Sequence, residues 1–274
     1  MKISIAITSH NQTEQIAKTI CALNEQTEKP YHIYLLMDGK KDLDIYKNVT
    51  VIDNKENSGR CNNRNSVIVP FLNTDSEALI FIDGDSWPSD KNFIKKYRKL
   101  FKKYDLIYGT RKHTLVDNIK MPASDLLTAN MDELWQGKPL NYNDLRITSG
   151  AIKAWHSAES ISEKIDLILT GMITWSCNFG ITRYGLEKHI LFMEENYGIK
   201  NKLFDDTAFS KNWGYEDVAM GLDSIFAGLK IEITDDIEIT HLAHERSDGL
   251  FDHIKGRHLI MERYRHLYDK YKQL

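Results

Sequence analysis

Five apolar residues followed by two carboxylates form the stretch that most constrains the fold of this chain. The run covers residues 78–82, contains no turn residue, and ends in Asp83, Gly84 and Asp85. An unbroken apolar run of this length is typical of a strand buried on both faces in a parallel sheet. Ligands of open α/β sheets bind outside the carboxyl ends of the strands. We therefore expect the two carboxylates at a ligand site, where they favour a cation; the alternative is a simple acidic turn.

The first hundred residues alternate between strand and helix patterns. Strand patterns cover residues 3–7, 31–37, 49–52 and 79–82. With the helix patterns between and after them, the order β-α-β-β-α-β-α predicts an α/β fold with a doubly wound, mostly parallel central sheet flanked by helices. Three of the strands end at Asp38, Asp53 and Asp83. In a parallel sheet these ends share one edge, so we expect the acids and the arginines that follow Asp53 to converge on one crevice.

The rest of the chain gives weaker signals. Helix patterns cover residues 124–135 and 160–169, a strand covers 174–181, one helix ends near Gly198, another opens at Trp213, short strands cover 231–233 and 237–239, and a helical tail covers 250–274. Because no repeat or linker interrupts the chain, we expect both halves to share one sheet. We interpret 1–245 as a single catalytic domain, with a nucleotide-sugar-binding half at 1–110, an acceptor-binding and catalytic half at 111–245, and a C-terminal helical extension at 246–274.

Length and composition describe an ordinary globular chain. Its 274 residues suffice for a full core, and 42% hydrophobic with 27% charged residues are usual values for a soluble protein. The net charge of −3 gives no general case for nucleic-acid binding. A Lys-rich helix after Ser89 and the helical tail could contact anionic lipid or DNA, although a solvated surface is their simpler interpretation.

The cysteines and the hydropathy indicate the compartment. Cys21, Cys61 and Cys177 are odd in number, widely spaced and without metal-ligand spacing, which favours a reducing compartment over a disulfide framework. No apolar run approaches the roughly 18 residues of a transmembrane helix. The apolar stretch at the N-terminus is too short for a signal peptide, and its apolar residues alternate with other residues instead of forming a continuous run. We expect a cytoplasmic protein without a transmembrane segment.

Several other short motifs stand at or near the predicted strand ends. They are the first loop Thr8-Ser9-His10-Asn11, the acid Asp38 with Gly39, the segment Asn57-Ser58-Gly59-Arg60 through Arg64-Asn65, the stretch Trp213-Gly214-Tyr215-Glu216-Asp217, and the late histidines His241 and His244. With Asp83-Gly84-Asp85, this set resembles the GT-A fold glycosyltransferases of the family-2 type. The W-G-x-E-D stretch makes the second half similar to the catalytic domains of β-1,4-galactosyltransferase and polypeptide GalNAc-transferase. The resemblance covers roughly residues 3–110 and 174–245.

Three positions depart from the pattern of that family. Asn63 stands where the family has alanine before the arginine, and Ser9-His10 replace its tyrosine or proline. Asp38 is followed directly by Gly39 rather than by a further Asp or Asn. These departures concern the donor base and the donor sugar more than the fold.

The resemblance implies a site for a nucleotide-diphosphate sugar, most simply a UDP-sugar. Its substrate- and nucleotide-binding residues would be Thr8, Ser9, His10, Asn11, Asp38, Asn57, Gly59, Arg60, Arg64, Asp83, Gly84, Trp213 and Gly214. Its Mn²⁺ or Mg²⁺ ligands would be Asp83, Asp85 and His244, with His241 as runner-up. A divalent cation suits this chemistry because it neutralises the charge that grows on the departing diphosphate. We expect Asp85 to be the more direct ligand, with Asp83 facing the ribose or a metal-bound water.

The resemblance also implies an inverting displacement. Asp217 would act as general base toward the acceptor hydroxyl, and Glu216 would hydrogen-bond the acceptor or the donor sugar. Trp213 would form an aromatic wall for a sugar ring. The structural alternative for Glu216 and Asp217 is that both acids complement the dipole of the helix that they open. For Arg60 and Arg64 the alternatives are diphosphate binding and a surface salt bridge.

Other functions and several acceptors stay open at this point. A nucleotidyltransferase would favour a G-x-G-x-R loop after the first strand, where this chain has Thr8-Ser9-His10-Asn11. A non-catalytic glycan- or partner-binding module would not need the complete set of acids. The acceptor could be a glycan, a lipid-linked glycan, a protein or, as in phages that glycosylate their DNA, a modified DNA base.

Overall fold

The computed structural model describes residues 1–10, 13–39, 49–54, 57–114, 148–171, 173–209, 214–242 and 250–271. The expected helix at 124–135 and the residues Asn11, Trp213 and His244 lie outside these ranges. Across the described ranges, none of the helices combines the length and apolar character that crossing a bilayer requires.

The described residues form one sheet of eight strands with nine helices around it. The strands are β1 (Ile3–Ser9), β2 (His32–Met37), β3 (Val49–Asp53), β4 (Ala78–Asp83), β5 (Ser86–Pro88), β6 (Leu106–Thr114), β7 (Asn178–Thr182) and β8 (Ile231–Leu242). The helices are α1 (Thr13–Asn24), α2 (Arg60–Asn65), α3 (Ile68–Leu72), α4 (Phe93–Leu100), α5 (Thr148–Ser157), α6 (Ile161–Leu169), α7 (Arg183–Tyr197), α8 (Glu216–Phe226) and α9 (Leu250–Tyr271).

The sheet joins both halves of the chain in the order β3-β2-β1-β4-β7-β6-β8-β5. Strands β3, β2, β1 and β4 are parallel, β7 runs antiparallel to both of its neighbours, and β6 and β8 are again parallel to each other. The expected α/β architecture and the shared sheet are therefore confirmed. The first four strands form the doubly wound part, with their carboxyl ends at one edge.

The acidic strand β4 lies at the centre of the sheet, as its sequence predicts. Each residue from Ala78 to Ile82 is fully buried. Alternate side chains enter two separate hydrophobic clusters: Leu79 and Phe81 pack on one face, and Ile80 and Ile82 on the other. A continuous apolar run is needed here because helices cover both faces of the strand.

The second half differs from the expected pattern at β6 and β8, and β7 begins at Asn178 rather than at residue 174. β6 was not anticipated, since only its first three residues are a buried apolar run, and Gly109 follows at a register shift against β8. A Cβ on Gly109 would lie 2.5 Å from the carbonyl oxygen of Ile237, so only glycine fits there. β8 is one strand rather than two, because the exposed Asp235 and Asp236 interrupt its apolar pattern without ending the strand.

Candidate functional site

The carboxyl edge of the parallel strands positions the first part of the site. Thr8 and Ser9 end β1, Asp38 follows β2, and Asp83 ends β4. The strand register places Thr8 opposite Asp83, and the Thr8 hydroxyl donates a hydrogen bond of 2.8 Å to Asp83 Oδ1. Gly84 N donates to the carbonyl oxygen of Thr8 at 2.7 Å, so the first loop and the acidic turn are directly connected.

Asp38 holds the polar segment that follows β3. Its Oδ1 accepts hydrogen bonds from Ser58 N at 2.6 Å and from Ser58 Oγ at 2.8 Å, and its Oδ2 accepts from Gly59 N at 3.1 Å. Gly59 has φ 82°, a conformation that favours glycine, and it precedes the first residue of α2. The buried Asp38 carboxylate therefore fixes the start of α2, while the side chain of Asn57 stays exposed beside it.

At two positions where this chain departs from the family pattern, the side chain has a hydrogen-bond partner in the structure. His10 Nδ1 lies 2.5 Å from the carbonyl oxygen of Asp38, which ties the first loop to the second strand end. Asn63 is buried and donates through Nδ2 to the carbonyl oxygen of Leu36 at 3.2 Å, while its Oδ1 accepts from Asn54 Nδ2 at 2.9 Å. An alanine at position 63 could make neither bond.

Arg64 connects the two halves of the site. Its Nη2 lies 3.1 Å from Asp83 Oδ1, and its Nη1 lies 3.3 Å from Glu216 Oε1. Burial raises the pKa of the Asp83 carboxyl, but the charges of Arg64 and Arg60 and the hydrogen bond from Thr8 outweigh that effect and lower it. Asp83 is therefore an anion held by a buried arginine, which excludes the alternative of a surface salt bridge for Arg64.

Arg60 has a different environment from Arg64, one turn away on α2. Its guanidinium lies 3.8 Å from Glu216 Oε1, and its side chain is 41% exposed, against 3% for Arg64. Arg64 is enclosed between two carboxylates, whereas Arg60 presents its charge at the surface of the site. Of the two arginines, Arg60 is the better placed to meet a soluble anion.

Glu216 and Asp217 are the first two residues of helix α8, and their carboxylates have different environments. Glu216 is buried against the two arginines. Asp217 is mostly buried, and its carboxylate accepts a hydrogen bond from Val218 N at 2.9 Å. Burial and the neighbouring Glu216 charge raise the pKa of Asp217 to about 7, although Arg64 and Arg60 act in the opposite direction. A carboxyl with this pKa exchanges protons near neutral pH, which suits a general base.

Asp85 and His241 form a second pair of ligand-capable groups. His241 on β8 is opposite Ser86 on β5, and its Nε2 lies 3.5 Å from Asp85 Oδ1. Both side chains are buried. A carboxylate and an imidazole in this arrangement fit two ligands of a divalent cation, and the imidazole suits Mn²⁺ better than Mg²⁺. In the described ranges, no third His, Cys, Asp or Glu completes a group able to hold a metal.

Asn65 supports the site through partners that are distant in the chain. Asn65 accepts hydrogen bonds from Leu203 N and Phe204 N, both at 3.0 Å, and donates to the carbonyl oxygen of Phe204 at 2.8 Å. It therefore fastens a distant loop beside Arg64. The motif predicts a role for Asn65 at the nucleotide, but nothing in the local sequence indicates this loop as its partner.

A cation–aromatic pair also lies in the second half of the sheet. The Arg111 guanidinium is 3.8 Å from the ring centre of Trp175, whose Nε1 donates to the carbonyl oxygen of Gly171 at 3.1 Å. Trp175 shortly precedes β7, and β7 begins opposite Ile82 at the end of β4. The Arg111–Trp175 pair therefore lies near the carboxyl edge of the sheet, where Asp83 ends β4.

Comparisons with known proteins agree with this architecture. The crystal structure of S. aureus TarS 1–349 is similar over 96% of this chain, with a TM-score of 0.57 and 16% identity, and S. aureus TarS over 95%, with a TM-score of 0.56 and 16% identity. TarS 1–349 in complex with UDP-GlcNAc is similar over 91% of this chain, with a TM-score of 0.54 and 14% identity.

These matches cover only part of each TarS chain, and their sequence identity is low. This chain spans 65%, 39% and 60% of the three TarS chains, and at these identities the similarity shows the fold alone. No curated protein matches the sequence. The model of the family described as "Glycosyl transferase family 2" matches residues 4–154, which is more than half of the chain. The chain therefore belongs to glycosyl transferase family 2.

Proposed function

We propose that this protein transfers a sugar from a nucleotide-diphosphate sugar to an acceptor hydroxyl with inversion, and that Asp217 is the general base. The observation that carries the proposal is the environment of Asp217. Its pKa is raised to about 7, and the adjacent Glu216 is tied through Arg64 to Asp83 at the strand edge. A proton acceptor thus stands beside the edge where a family-2 chain would bind its donor.

The reaction proceeds as a single displacement at the anomeric carbon. The acceptor oxygen forms a bond to that carbon while the bond from the carbon to the diphosphate oxygen breaks. The diphosphate leaves with the bonding electron pair, and the acceptor proton passes to Asp217. Because the nucleophile enters opposite the leaving group, the anomeric configuration inverts.

The donor would occupy the edge formed by the first loop, Asp38 and the acidic turn. Its contacts would come from Thr8, Ser9, His10, Asn11, Asp38, Asn57, Gly59, Asp83, Gly84, Trp213 and Gly214. Arg60 is the candidate for the diphosphate, because its side chain is 41% exposed. Arg64 would act indirectly by orienting Asp83 and Glu216. The TarS structure in complex with UDP-GlcNAc supports a UDP-sugar as the donor.

A divalent cation, Mn²⁺ or Mg²⁺, would be held by Asp85 and His241. When bound, it would offset the negative charge on the departing diphosphate. Asp83 is the weaker candidate for a direct ligand, because Thr8 and Arg64 both bind its Oδ1. His244, which the sequence favoured over His241, lies outside the described residues and stays a candidate.

The organisation of the chain follows from this assignment. Residues 1–110 would bind the nucleotide sugar, and 111–245 would bind the acceptor and supply the base, within one catalytic domain. The similarity of the second half to β-1,4-galactosyltransferase and polypeptide GalNAc-transferase belongs to this proposal. It rests on the Gly214-Tyr215-Glu216-Asp217 stretch and the residues before it. The acceptor class stays open among glycan, lipid-linked glycan, protein and modified DNA base.

The direct test is a donor screen with purified protein. UDP-, GDP- and TDP-sugars would be incubated with Mn²⁺ or Mg²⁺, and release of the nucleoside diphosphate would be measured with and without candidate acceptors. We expect release from a UDP-sugar and its loss in Asp217→Asn, with UDP binding retained. If no nucleotide sugar is bound or turned over with either metal, the proposal is wrong.

A further inference from the structure

The residue that precedes the two acids of α8 has an unusual backbone. Among the described residues, only Asn201 and Tyr215 have positive φ without being glycine. Tyr215 has φ 70°, follows Gly214 at φ 91°, and directly precedes Glu216. A bulky residue is disfavoured in this conformation by roughly 1–2 kcal/mol. Contacts with the surrounding structure must therefore stabilise this backbone conformation of Tyr215.

The C-terminal helix α9 supplies that support through Gly256. A Cβ on Gly256 would lie 2.4 Å from Tyr215 Cδ2, 3.0 Å from Cγ and 3.2 Å from Cε2. The tyrosine ring therefore lies directly on the backbone of α9, at a distance that no other residue at position 256 allows. Glycine in the interior of a helix is otherwise unfavourable by about 1 kcal/mol relative to alanine. Its presence here allows this close contact.

Two turns beyond Gly256 on α9, Arg263 binds helix α8. Arg263 is buried and binds Asp223 of α8 in a bidentate manner, at 2.9 Å from Nε to Oδ1 and 2.7 Å from Nη2 to Oδ2. Its Nη1 donates to Asp205 Oδ2 at 2.7 Å. Asp223 lies seven residues after Glu216, so both face the same side of α8.

Asp205 extends this connection to the other side of the site. It follows Leu203 and Phe204, whose backbone is bound by Asn65, and Asn65 is the neighbour of Arg64. Arg263 therefore contacts both the helix that carries Glu216 and the loop that is fastened beside Arg64. The C-terminal helix is thus connected, through Asp223 and Asp205, to the two elements that flank the Arg64–Glu216 pair.

From these contacts we infer that α9 is part of the active-site scaffold, and that Gly256, Tyr215 and Arg263 are positioning residues for Glu216 and Asp217. The inference rests on the proposed function and deepens it. α9, like α8, lies beyond residues 4–154, which the family model matches. The C-terminal helical extension would therefore be needed for turnover.

The test compares two glycine-to-alanine changes in helices of the full-length chain. Gly256→Ala places a methyl group against the Tyr215 ring, whereas Gly150→Ala, in α5, places one where nothing lies within 4 Å. Both changes replace a helical glycine by the residue with the highest helix propensity. We expect kcat of Gly256→Ala to fall by about 10²-fold, because a displacement near 1 Å has that effect on a positioned catalytic group. We expect Gly150→Ala to keep kcat.

Three accompanying measurements separate positioning from loss of structure. The dissociation constant for UDP and the KM for the donor should stay within about threefold of wild type in Gly256→Ala. The pH at which kcat reaches half its maximum should move, since Asp217 would change its surroundings. Should Gly256→Ala fail to fold, Tyr215→Gly keeps the positive φ without strain and removes the ring, and its kcat should fall in the same way.

The outcomes distinguish this inference from the proposed function. If wild type turns over and Asp217→Asn does not, retained kcat in Gly256→Ala or Tyr215→Gly overturns the positioning role alone. A parallel loss of UDP binding and kcat would also overturn it, since that pattern indicates general disruption. If wild type transfers no sugar, the proposed function and this inference both fail.

Discussion

Arg64 and Glu216 form an ion pair across the centre of the site, with 3.3 Å between Nη1 and Oε1 and each side chain only 3% exposed. The same guanidinium binds Asp83 Oδ1 at 3.1 Å. One buried cation thus serves two acids that come from distant parts of the chain. The adjacent Asp217 is excluded from this pairing, and its pKa is raised by burial and by Glu216. The site therefore places a carboxyl whose pKa is near neutrality beside a buried ion-pair network.

The first prediction concerns the stability of this buried pair. Replacing Arg64 by methionine leaves Asp83 and Glu216 without their common partner, and removing one member of a buried ion pair costs roughly 3–5 kcal/mol. We expect Arg64→Met to lower the free energy of unfolding by about that amount in urea. Arg60→Met is the matched control, since its exposed contact at 3.8 Å should contribute no more than about 1 kcal/mol. Equal losses in the two variants would contradict the assignment.

The second prediction concerns the pH dependence of turnover. A general base must be deprotonated, so kcat/KM should rise with pH through about 7, the pKa of Asp217. The Glu216 charge raises that pKa, and Glu216→Gln should therefore move the rising limb to lower pH. Initial rates from pH 5 to pH 9 would measure the limb. Glu187→Gln, on the exposed face of α7, should leave it in place; a limb that does not respond to Glu216→Gln would exclude Asp217 as its source.

The third prediction concerns the stability of Asp217→Asn. The native pKa of Asp217, about 7, is above its ordinary value of 3.8. Folding therefore favours the protonated form, and the native state loses stability relative to the unfolded state as pH rises from about 4 through 7. Asparagine has no charge to bury, so Asp217→Asn should be more stable than wild type at pH 8, by a few degrees in Tm. The difference should disappear below pH 4, and a difference that grows toward acid would contradict the prediction.

Local sequence could predict the parts of the site that are encoded by consecutive residues of a single segment. Asp83 follows five apolar residues, and Asp38 follows a buried strand, so their place at the carboxyl edge follows from the sheet. The acids of α8 were recognised through a short motif. In each case, residues adjacent in the chain carry the signal.

The remaining parts depend on partners that are distant in the chain. Nothing near Gly256 indicates that its backbone meets Tyr215, and nothing near Arg263 points to Asp223 and Asp205. β6 was missed for the same reason. β7 pairs only with Leu106 to Tyr108, and the segment after Gly109 is a strand because β8 pairs with it from Thr110 to Thr114. That partner is distant in the chain and is not indicated by the sequence of β6.

The last prediction concerns the cation. His241 Nε2 lies 3.5 Å from Asp85 Oδ1, so removing the imidazole should weaken metal binding. We expect His241→Ala to need at least about tenfold more Mn²⁺ for half-saturation, with a smaller effect on Mg²⁺, because Mg²⁺ prefers oxygen ligands. Electron paramagnetic resonance of Mn²⁺ in the presence of UDP measures binding independently of turnover. His32→Gln, on β2, is the control and should bind Mn²⁺ as wild type does. Unchanged Mn²⁺ affinity in His241→Ala would show that His241 is not a ligand and would leave His244 as the candidate histidine.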